Sequence, residues 1–458
     1  MAPTADVAAL DAIFKAYDVR GLVPQQLDAD VARGIGGAFV EVTAATAVVV
    51  GHDMRPTSPQ LARAFAEGAA AAGADVVAIG LCATDQLYFA SGRLDLPGAM
   101  FTASHNPAQY NGIKLCRAGA RPVALDSGLA EIRDLVTAGT TRTGARPGTI
   151  RDRDVLTAYA EHLVGLAPVR GRRLTVVVDA GSGMAGHTVP AVAALLGSDQ
   201  VDLDPLYFDL DGTFPHHEAN PIDPANLVDL QARVVTTGAD IGLAFDGDAD
   251  RCFLVDERGH PVSPSSLTAL IAERELARHP GATVIHNLIT SRAVPEIVTE
   301  LGGTPVRTRV GHSYIKASMA ETGAVFGGEH SGHFYFQDFW RADSGLLAAL
   351  HALGALAESD RPLSELMSRY ERYVQSGELN TVVTDTAAVT AELRAAYAGR
   401  DGVTTDELDG LTVSHRDWWF NVRPSNTEPL LRLNAEGADA ATMAAVRDDV
   451  LTRIRSHR

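Results

Sequence analysis

Three runs rich in β-branched apolar residues punctuate the first two thirds of the chain: Ala47–Val50 (AVVV), Leu174–Val178 (LTVVV) and Ala282–Ile285 (ATVI). Short uninterrupted apolar runs of this kind predict strands buried on both faces, as in parallel sheets. Each run ends in a polar or glycine-bearing turn: GHDMRPTS, DAGSGM and HNLITSR. Each turn leads into a segment with helical spacing, such as PQLARAFAEGAAAAG from Pro59. A second apolar run follows: ADVVAIG from Ala74, VDLDPLYF from Val201 and TPVRTRV from Thr304. After another helical stretch comes a third strand-like run with an unusual polar loop: GAMFTASHNP, IGLAFDGDADR and GAVFGGEHSGH.

Strands alternating with helices predict right-handed βαβ units. The order recurs three times, which predicts three similar α/β domains with mixed sheets rather than one large sheet. Each polar loop follows the carboxyl end of a strand, where open α/β sheets hold ligands. Beyond Tyr370 the pattern changes. LTVSHRDWWFNVRPSNTEPLLRLNAEG alternates apolar and polar positions as antiparallel strands do, and Ala438–Arg455 reads as a closing helix. Four domains are predicted, 1–150, 151–256, 257–369 and 370–458, the last of them α+β.

The 458 residues carry 39 Lys+Arg against 57 Asp+Glu, a formal charge of −18. That balance argues against nucleic acid as a partner, because a basic stripe supplies most of such affinity. The three cysteines, Cys82, Cys116 and Cys252, are an odd number with no CxxC spacing, so neither a disulfide framework nor a zinc site is expected. The N-terminus MAPTADVAALDAIF carries acids where a signal peptide would carry bases. The richest apolar stretch, Leu346–Ala357 (LLAALHALGALA), is too short to span a bilayer and reads as a buried helix. A cytoplasmic protein with no membrane partner is expected.

Chemistry concentrates in four loops. Asp246-Gly-Asp-Ala-Asp250 places alternate carboxylates in a tight turn, where they can converge on one hard cation such as Mg²⁺. A calcium EF-hand is excluded, since the sixth position is Arg251 instead of glycine and strand-like runs flank the loop. Thr102-Ala-Ser-His-Asn-Pro107 puts Ser104 at a strand end beside an imidazole, with Lys114 shortly after, a setting for a hydroxyl that accepts a phosphoryl group. Gly328-Glu-His-Ser-Gly-His333 offers carboxylate, hydroxyl and imidazole groups suited to sugar hydroxyls. Arg423-Pro-Ser-Asn-Thr427 sets a guanidinium, two hydroxyls and an amide where phosphate oxygens could be held.

These four loops, together with KAYDVRG at Lys15–Gly21, resemble the α-D-phosphohexomutase superfamily, and most closely its bacterial phosphomannomutase/phosphoglucomutase branch, over nearly the whole chain. The resemblance implies four domains around a central cleft and phosphoryl transfer between the 1- and 6-hydroxyls of a hexose. Ser104 would rest phosphorylated, with Asp246, Asp248 and Asp250 holding Mg²⁺ against it. A hexose 1,6-bisphosphate would form, turn over in the cleft and return its other phosphoryl group. By family position, Lys114, His105, Arg20 and His312 are the candidates for proton transfer, with no ranking among them. Glu329 and Ser331 would grip sugar hydroxyls. Arg423, Ser425, Asn426 and Thr427 would hold the non-reacting phosphate, with Tyr17, Arg251 and His333 nearby. The implied partners are phosphorylated hexoses, bound by a monomer or weak dimer.

Two positions depart from the pattern: Leu288 stands where many relatives carry lysine, and His52 where many carry arginine. His330 leans away from the glucosamine branch, so mannose is the expected sugar and glucose the alternative. A haloacid-dehalogenase-type phosphatase with Asp246 as nucleophile would leave SHNP and RPSNTEP unexplained, and Asp250 stands where that family has Thr or Val. A binding protein without turnover would not need Ser104 and all three aspartates.

Overall fold

The computed structural model of the chain describes residues 7–140, 144–424 and 430–457. They gather into two compact units, Met1–Val262 with Ser331–Leu366, and Ser263–His330 with Met367–Arg458.

The first sheet of unit one contains β1 (Val19–Leu22), β2 (Ala47–His52), β3 (Asp75–Leu81), β4 (Gly98–Phe101), β5 (Tyr110–Arg117), β6 (Arg121–Pro122) and β7 (Ile150–Asp152). Their order is β1-β5-β4-β2-β3-β7, with β6 beside β5. β2 runs parallel to β3 and β4, while β5 runs antiparallel to β1 and β4, so the sheet is mixed. The run Ala47–Val50 is its centre, which explains its uninterrupted apolar character. Helices Ala29–Thr43 and Ser58–Ala71 cross at glycines. A Cβ on Gly36 would lie 2.1 Å from the Phe65 carbonyl oxygen, and one on Gly68 would lie 2.0 Å from that of Arg33. Asp28 starts the first of these helices by accepting from the Asp30 and Val31 amides.

The second sheet comprises β8 (Leu174–Asp179), β9 (Val201–Leu206), β10 (Ile241–Phe245), β11 (Cys252–Asp256) and β12 (Pro261–Val262), in the order β12-β11-β10-β8-β9. β10 and β11 are antiparallel, with Phe245 opposite Cys252, so residues 246–251 form the connection at the strands' ends. Every residue of both strands is buried.

In unit two, β13 (Thr283–Asn287), β14 (Thr304–Thr308) and β15 (Phe326–Gly328) are parallel, with β13 in the middle. In unit one, β16 (Phe334–Phe336) and β17 (Ala342–Asp343) pair antiparallel. Ser344 then caps helix Gly345–Ala357 by accepting from the Leu347 amide, and that helix is buried almost all round. Unit two also holds an antiparallel sheet of β18 (Val374–Val382), β19 (Thr404–Asp406), β20 (Leu411–Ser414), β21 (Trp418–Pro424) and β22 (Leu430–Gly437), ordered β18-β22-β21-β20-β19. Its apolar face, including Val413, Phe420 and Leu433, packs with Leu393, Val450 and Ile454 of helices Thr386–Tyr397 and Ala440–Arg455. These elements are the three α/β domains and the closing α+β domain that the periodicity predicts. All three cysteines are buried and free. Among the described residues, no helix is long and apolar enough to cross a membrane.

Candidate active site

Ser104 lies just past β4 in a left-handed conformation, φ 50°, and is 5% exposed. Its amide donates to Thr102 Oγ1 at 2.9 Å. Its hydroxyl donates to Asp246 Oδ2 at 2.8 Å and lies 3.2 Å from His105 Nδ1 and 3.5 Å from Arg251 Nη2. The serine loop of the first sheet and the acidic loop of the second therefore meet within unit one.

The acidic loop is fully buried. Asp246 pairs with Arg251, whose Nη2 sits 2.7 Å from Oδ2. Lys114, on the β5 strand, bridges the other two aspartates, with Nζ 2.7 Å from Asp248 Oδ2 and 2.5 Å from Asp250 Oδ2. Thr84 adds its hydroxyl to Asp248 Oδ2. Burial pushes Asp246 up to about 7 against the pull of Arg251. Burial also works against the Asp248 anion, but Lys114 outweighs it and holds that carboxyl below the usual range. Conversely, burial alone would lower Lys114, and Asp248 and Asp250 instead keep it charged well above the ordinary lysine value. His105 is held neutral, chiefly by the Arg251 charge and then by burial.

Carboxylate oxygens of Asp246, Asp248 and Asp250 lie within 4.8 Å of one another. Oδ1 of Asp248 and Oδ1 of Asp250 are buried without a hydrogen-bond partner. Orphaned buried carboxylate oxygens are costly unless a ligand meets them, and an all-oxygen donor set suits a hard divalent cation. The residues present fit a metal ion placed beside Ser104.

Around this centre, Arg20 donates to Asp18 and to Asn106 of the serine loop. Tyr17 is half-buried in the turn before β1. His333 Nδ1 lies 3.0 Å from Asp343 Oδ2 and 3.7 Å from Asp250 Oδ1, and Ser331 is half-buried two residues earlier. Asp343 also belongs to a buried polar group. Its neighbour Ser344 donates to Asp85 Oδ2 at 2.6 Å, and the Tyr159 hydroxyl donates to the same oxygen at 2.7 Å.

Unit two holds the other predicted residues. Glu329, 2% exposed, accepts through Oε1 from Asn287 Nδ2 at 3.0 Å and from the Gly311 amide at 3.2 Å. His312 follows Gly311 as the first residue of helix His312–Thr322. His330 Nδ1 sits 3.1 Å from Ser265 Oγ. Arg423 Nη2 donates to Glu378 Oε2 at 2.7 Å. Ser425, Asn426 and Thr427 lie outside the described residues. Leu288 is 4% exposed and, with His286, Arg292, Arg307 and Trp419, lines a cavity of about 680 Å³. Arg292 is engaged there: it donates to the Arg416 and His415 carbonyls at 2.7 and 3.3 Å, and its Nε lies 3.4 Å from Glu436 Oε1.

Sequence reasoning missed Thr84, Asp343 and Arg55. Thr84 opens a helix, and Asp343-Ser344 interrupts an apolar stretch, which is a weak signal for a buried polar pair. Arg55 ends the GHDMR turn, whose signal was read only at His52.

The chain matches four family domains described as phosphoglucomutase/phosphomannomutase: alpha/beta/alpha domain I over residues 11–143, domain II over 157–259, domain III over 263–373 and the C-terminal domain over 378–453. A protein named phosphomannomutase from Salmonella montevideo is 39% identical over 451 residues, covering 97% of this chain and 99% of its own. A protein of Xanthomonas campestris pv. campestris named phosphohexose mutases is 40% identical over 444 residues, covering 96% and 98% respectively. The crystal structure of a phosphoglucomutase/phosphomannomutase family protein from Burkholderia thailandensis superposes with a TM-score of 0.88 at 37% identity, covering 97% of each chain. With four matched domains in order and relatives aligned over nearly their full length, the chain belongs to the phosphoglucomutase/phosphomannomutase family.

Proposed function

We propose that this chain interconverts mannose 6-phosphate and mannose 1-phosphate through a phosphoserine at Ser104 and a hexose 1,6-bisphosphate. The observation that carries the reading is the Ser104 hydroxyl, buried and bonded to Asp246 within a carboxylate triad in which two buried oxygens accept no hydrogen bond. In each half-reaction the bond from Ser104 Oγ to phosphorus breaks or forms while a sugar oxygen makes the opposite exchange. In the free serine, the hydroxyl donates to Asp246 Oδ2 and lies 3.2 Å from His105 Nδ1. In each transfer the proton of the attacking hydroxyl passes to a base among Lys114, His105, Arg20 and His312, and the departing oxygen takes up a proton in exchange. Asp246, Asp248 and Asp250 would hold Mg²⁺, which supplies charge neutralisation at the phosphoryl oxygens when bound. Lys114 and Arg251 offset two of the three carboxylate charges and fix where the acids point. A buried site of this kind favours alignment and electrostatic stabilisation, the main needs of phosphoryl transfer.

Glu329 and Ser331 are assigned to the sugar hydroxyls, and Arg423, Ser425, Asn426 and Thr427 to the phosphate that does not react, with Tyr17, Arg251 and His333 as further substrate contacts. Glucose is the second substrate considered, since one relative is named for phosphohexose mutases in general. Intact-mass analysis of the purified protein should show one phosphate on Ser104, and Ser104→Ala should lose nearly all turnover while keeping its circular dichroism. Full activity in that variant, or phosphate elsewhere, refutes the reading. Comparing kcat/KM for mannose and glucose 1-phosphates decides the sugar; a glucose preference overturns the assignment to mannose.

A further inference from the structure

We propose that Arg55 is the positioning residue for Ser104: its guanidinium gathers the carbonyls of the serine loop and thereby sets the aim of the hydroxyl that carries the phosphoryl group. The proposal rests on the reading of Ser104 given above.

Arg55 is 1% exposed. Its Nη2 donates to the Ser104 carbonyl at 2.9 Å and the Asn106 carbonyl at 2.6 Å. Its Nη1 donates to the Pro107 and Tyr110 carbonyls, both at 2.9 Å. Four acceptors spread over seven residues, 104 to 110, converge on one side chain. Among the described residues, the Ser104 and Asn106 carbonyls accept from no other donor. The loop has no ladder to hold it, so a buried side chain takes over the role that sheet pairing plays elsewhere.

The guanidinium is itself fixed on three sides. Asp53 Oδ2 lies 3.3 Å from Nε, and Asp53 Oδ1 accepts from the Arg55 amide at 2.9 Å and from the Ser58 hydroxyl. The Asp53 amide donates to the Phe101 carbonyl at 2.9 Å, which ties this turn to the strand that leads into Ser104. The Phe214 ring covers the guanidinium at 5.1 Å, and a Cβ on Gly212 would come within 2.5 Å of Arg55 Cα. Arg55 has no hydrogen bond to Ser104 Oγ; it works on the backbone behind it.

The consequence follows from the conformation of Ser104. A φ of 50° is unfavourable for a residue with a side chain and persists only where the surroundings hold it. Two bonds hold this one, from the Ser104 amide to Thr102 and from Arg55 to the Ser104 carbonyl. Releasing the second lets the residue relax and turns Oγ away from Asp246. Lysine is a poor substitute, because a single ammonium cannot reproduce a planar fork that reaches several carbonyls at once.

The test compares Arg55→Lys and Asp53→Asn with the parent. A displacement near 1 Å at reacting atoms costs roughly a hundredfold in rate. Arg55→Lys should therefore lose about a hundredfold in kcat, with KM for mannose 1-phosphate changed less than about threefold, at a temperature where circular dichroism shows it folded. Asp53→Asn keeps the shape and removes the counter-charge, and should show a smaller loss in kcat with the same constancy of KM. A purely structural role would lower the melting temperature and leave kcat of the folded protein intact. A folded Arg55→Lys with kcat near that of the parent, or with the loss confined to KM, overturns the proposal. Should Arg55→Lys not fold, unchanged kcat in Asp53→Asn overturns it instead. Failure of the functional reading looks different: the parent would carry no phosphate on Ser104, and Ser104→Ala would remain active.

Discussion

Lys114→Met is the sharpest probe of the acidic centre. The ammonium stands 2.7 and 2.5 Å from two carboxylates that are 0% and 1% exposed. At an effective dielectric constant of about 20, each of these attractions is worth roughly 6 kcal/mol. With the ammonium gone, the two acids face each other across at most 4.8 Å, a repulsion of at least about 3.5 kcal/mol at the same dielectric constant. Burying the ammonium offsets part of what it gains, so the net loss should follow other broken buried pairs, about 3–5 kcal/mol at pH 8. One acid can escape by binding a proton, which raises its folded-state pKa above the unfolded value. Stability is then kept at low pH and lost as pH rises, so the defect should shrink on going from pH 8 to pH 5. Excess Mg²⁺ should stabilise the variant more than the parent, because it meets the charge that Lys114 no longer balances. Urea unfolding in chelator and in magnesium, at both pH values, reads all three effects. Equal midpoints for variant and parent in chelator at pH 8, or equal stabilisation by magnesium, would refute charge compensation as the role of Lys114.

Asp85, pushed up to about 7 by burial, favours the fold while protonated, so this group costs stability as pH rises from about 4 to 7, by roughly 1.4 kcal/mol per pH unit. Asp85→Asn should remove that slope; a parent-to-variant difference in urea midpoint that stays constant across this range contradicts it. Arg423→Ala should raise KM about ten- to a hundredfold, the size of a lost charge-assisted contact, and leave single-turnover phosphoryl transfer nearly unchanged. A thousandfold fall in that rate, with KM constant, would mean that Arg423 serves the transferring group. Gly36→Ala should cost at least about 2–3 kcal/mol in urea unfolding, since its methyl group meets the Phe65 carbonyl rather than a flexible side chain; a neutral result would disprove the close helix crossing.

Much of the fold was legible because strands buried on both faces write themselves as apolar runs. Leu174–Val178 became the β8 strand, and IGLAF became β10, with the acidic loop at its end. The serine and acidic loops, which meet through Ser104 and Asp246, were visible for the same reason: polar residues at strand ends stand out against apolar runs. The network behind the loops was not. Thr84 meets Asp248 across 164 residues, and Ser344 meets Asp85 across 259, and no local period encodes such pairings. The β5 strand was also missed, although it sets Lys114 between two aspartates. It is an antiparallel strand inside an otherwise parallel pattern, and it owes its place to pairing with β1 and β4.

The route of the chain through unit one governs when that unit can be finished during synthesis. Its segments Met1–Val262 and Ser331–Leu366 are separated by residues that belong to unit two. The helix Gly345–Ala357 lies over the second sheet, where Leu346, Leu350 and Leu353 face Val176, Val178 and Leu243. Until that helix leaves the ribosome, those valines and leucines have only part of their cover, from Val189, Val192 and Leu196 of helix Ala185–Leu196. From Val262 to Leu366 the ribosome adds 366 − 262 = 104 residues, which takes roughly 5–20 s at ordinary elongation rates. Nascent chains halted inside this interval should bind holdase chaperones and be cut readily by protease in the 174–256 region, and chains released beyond Leu366 should resist.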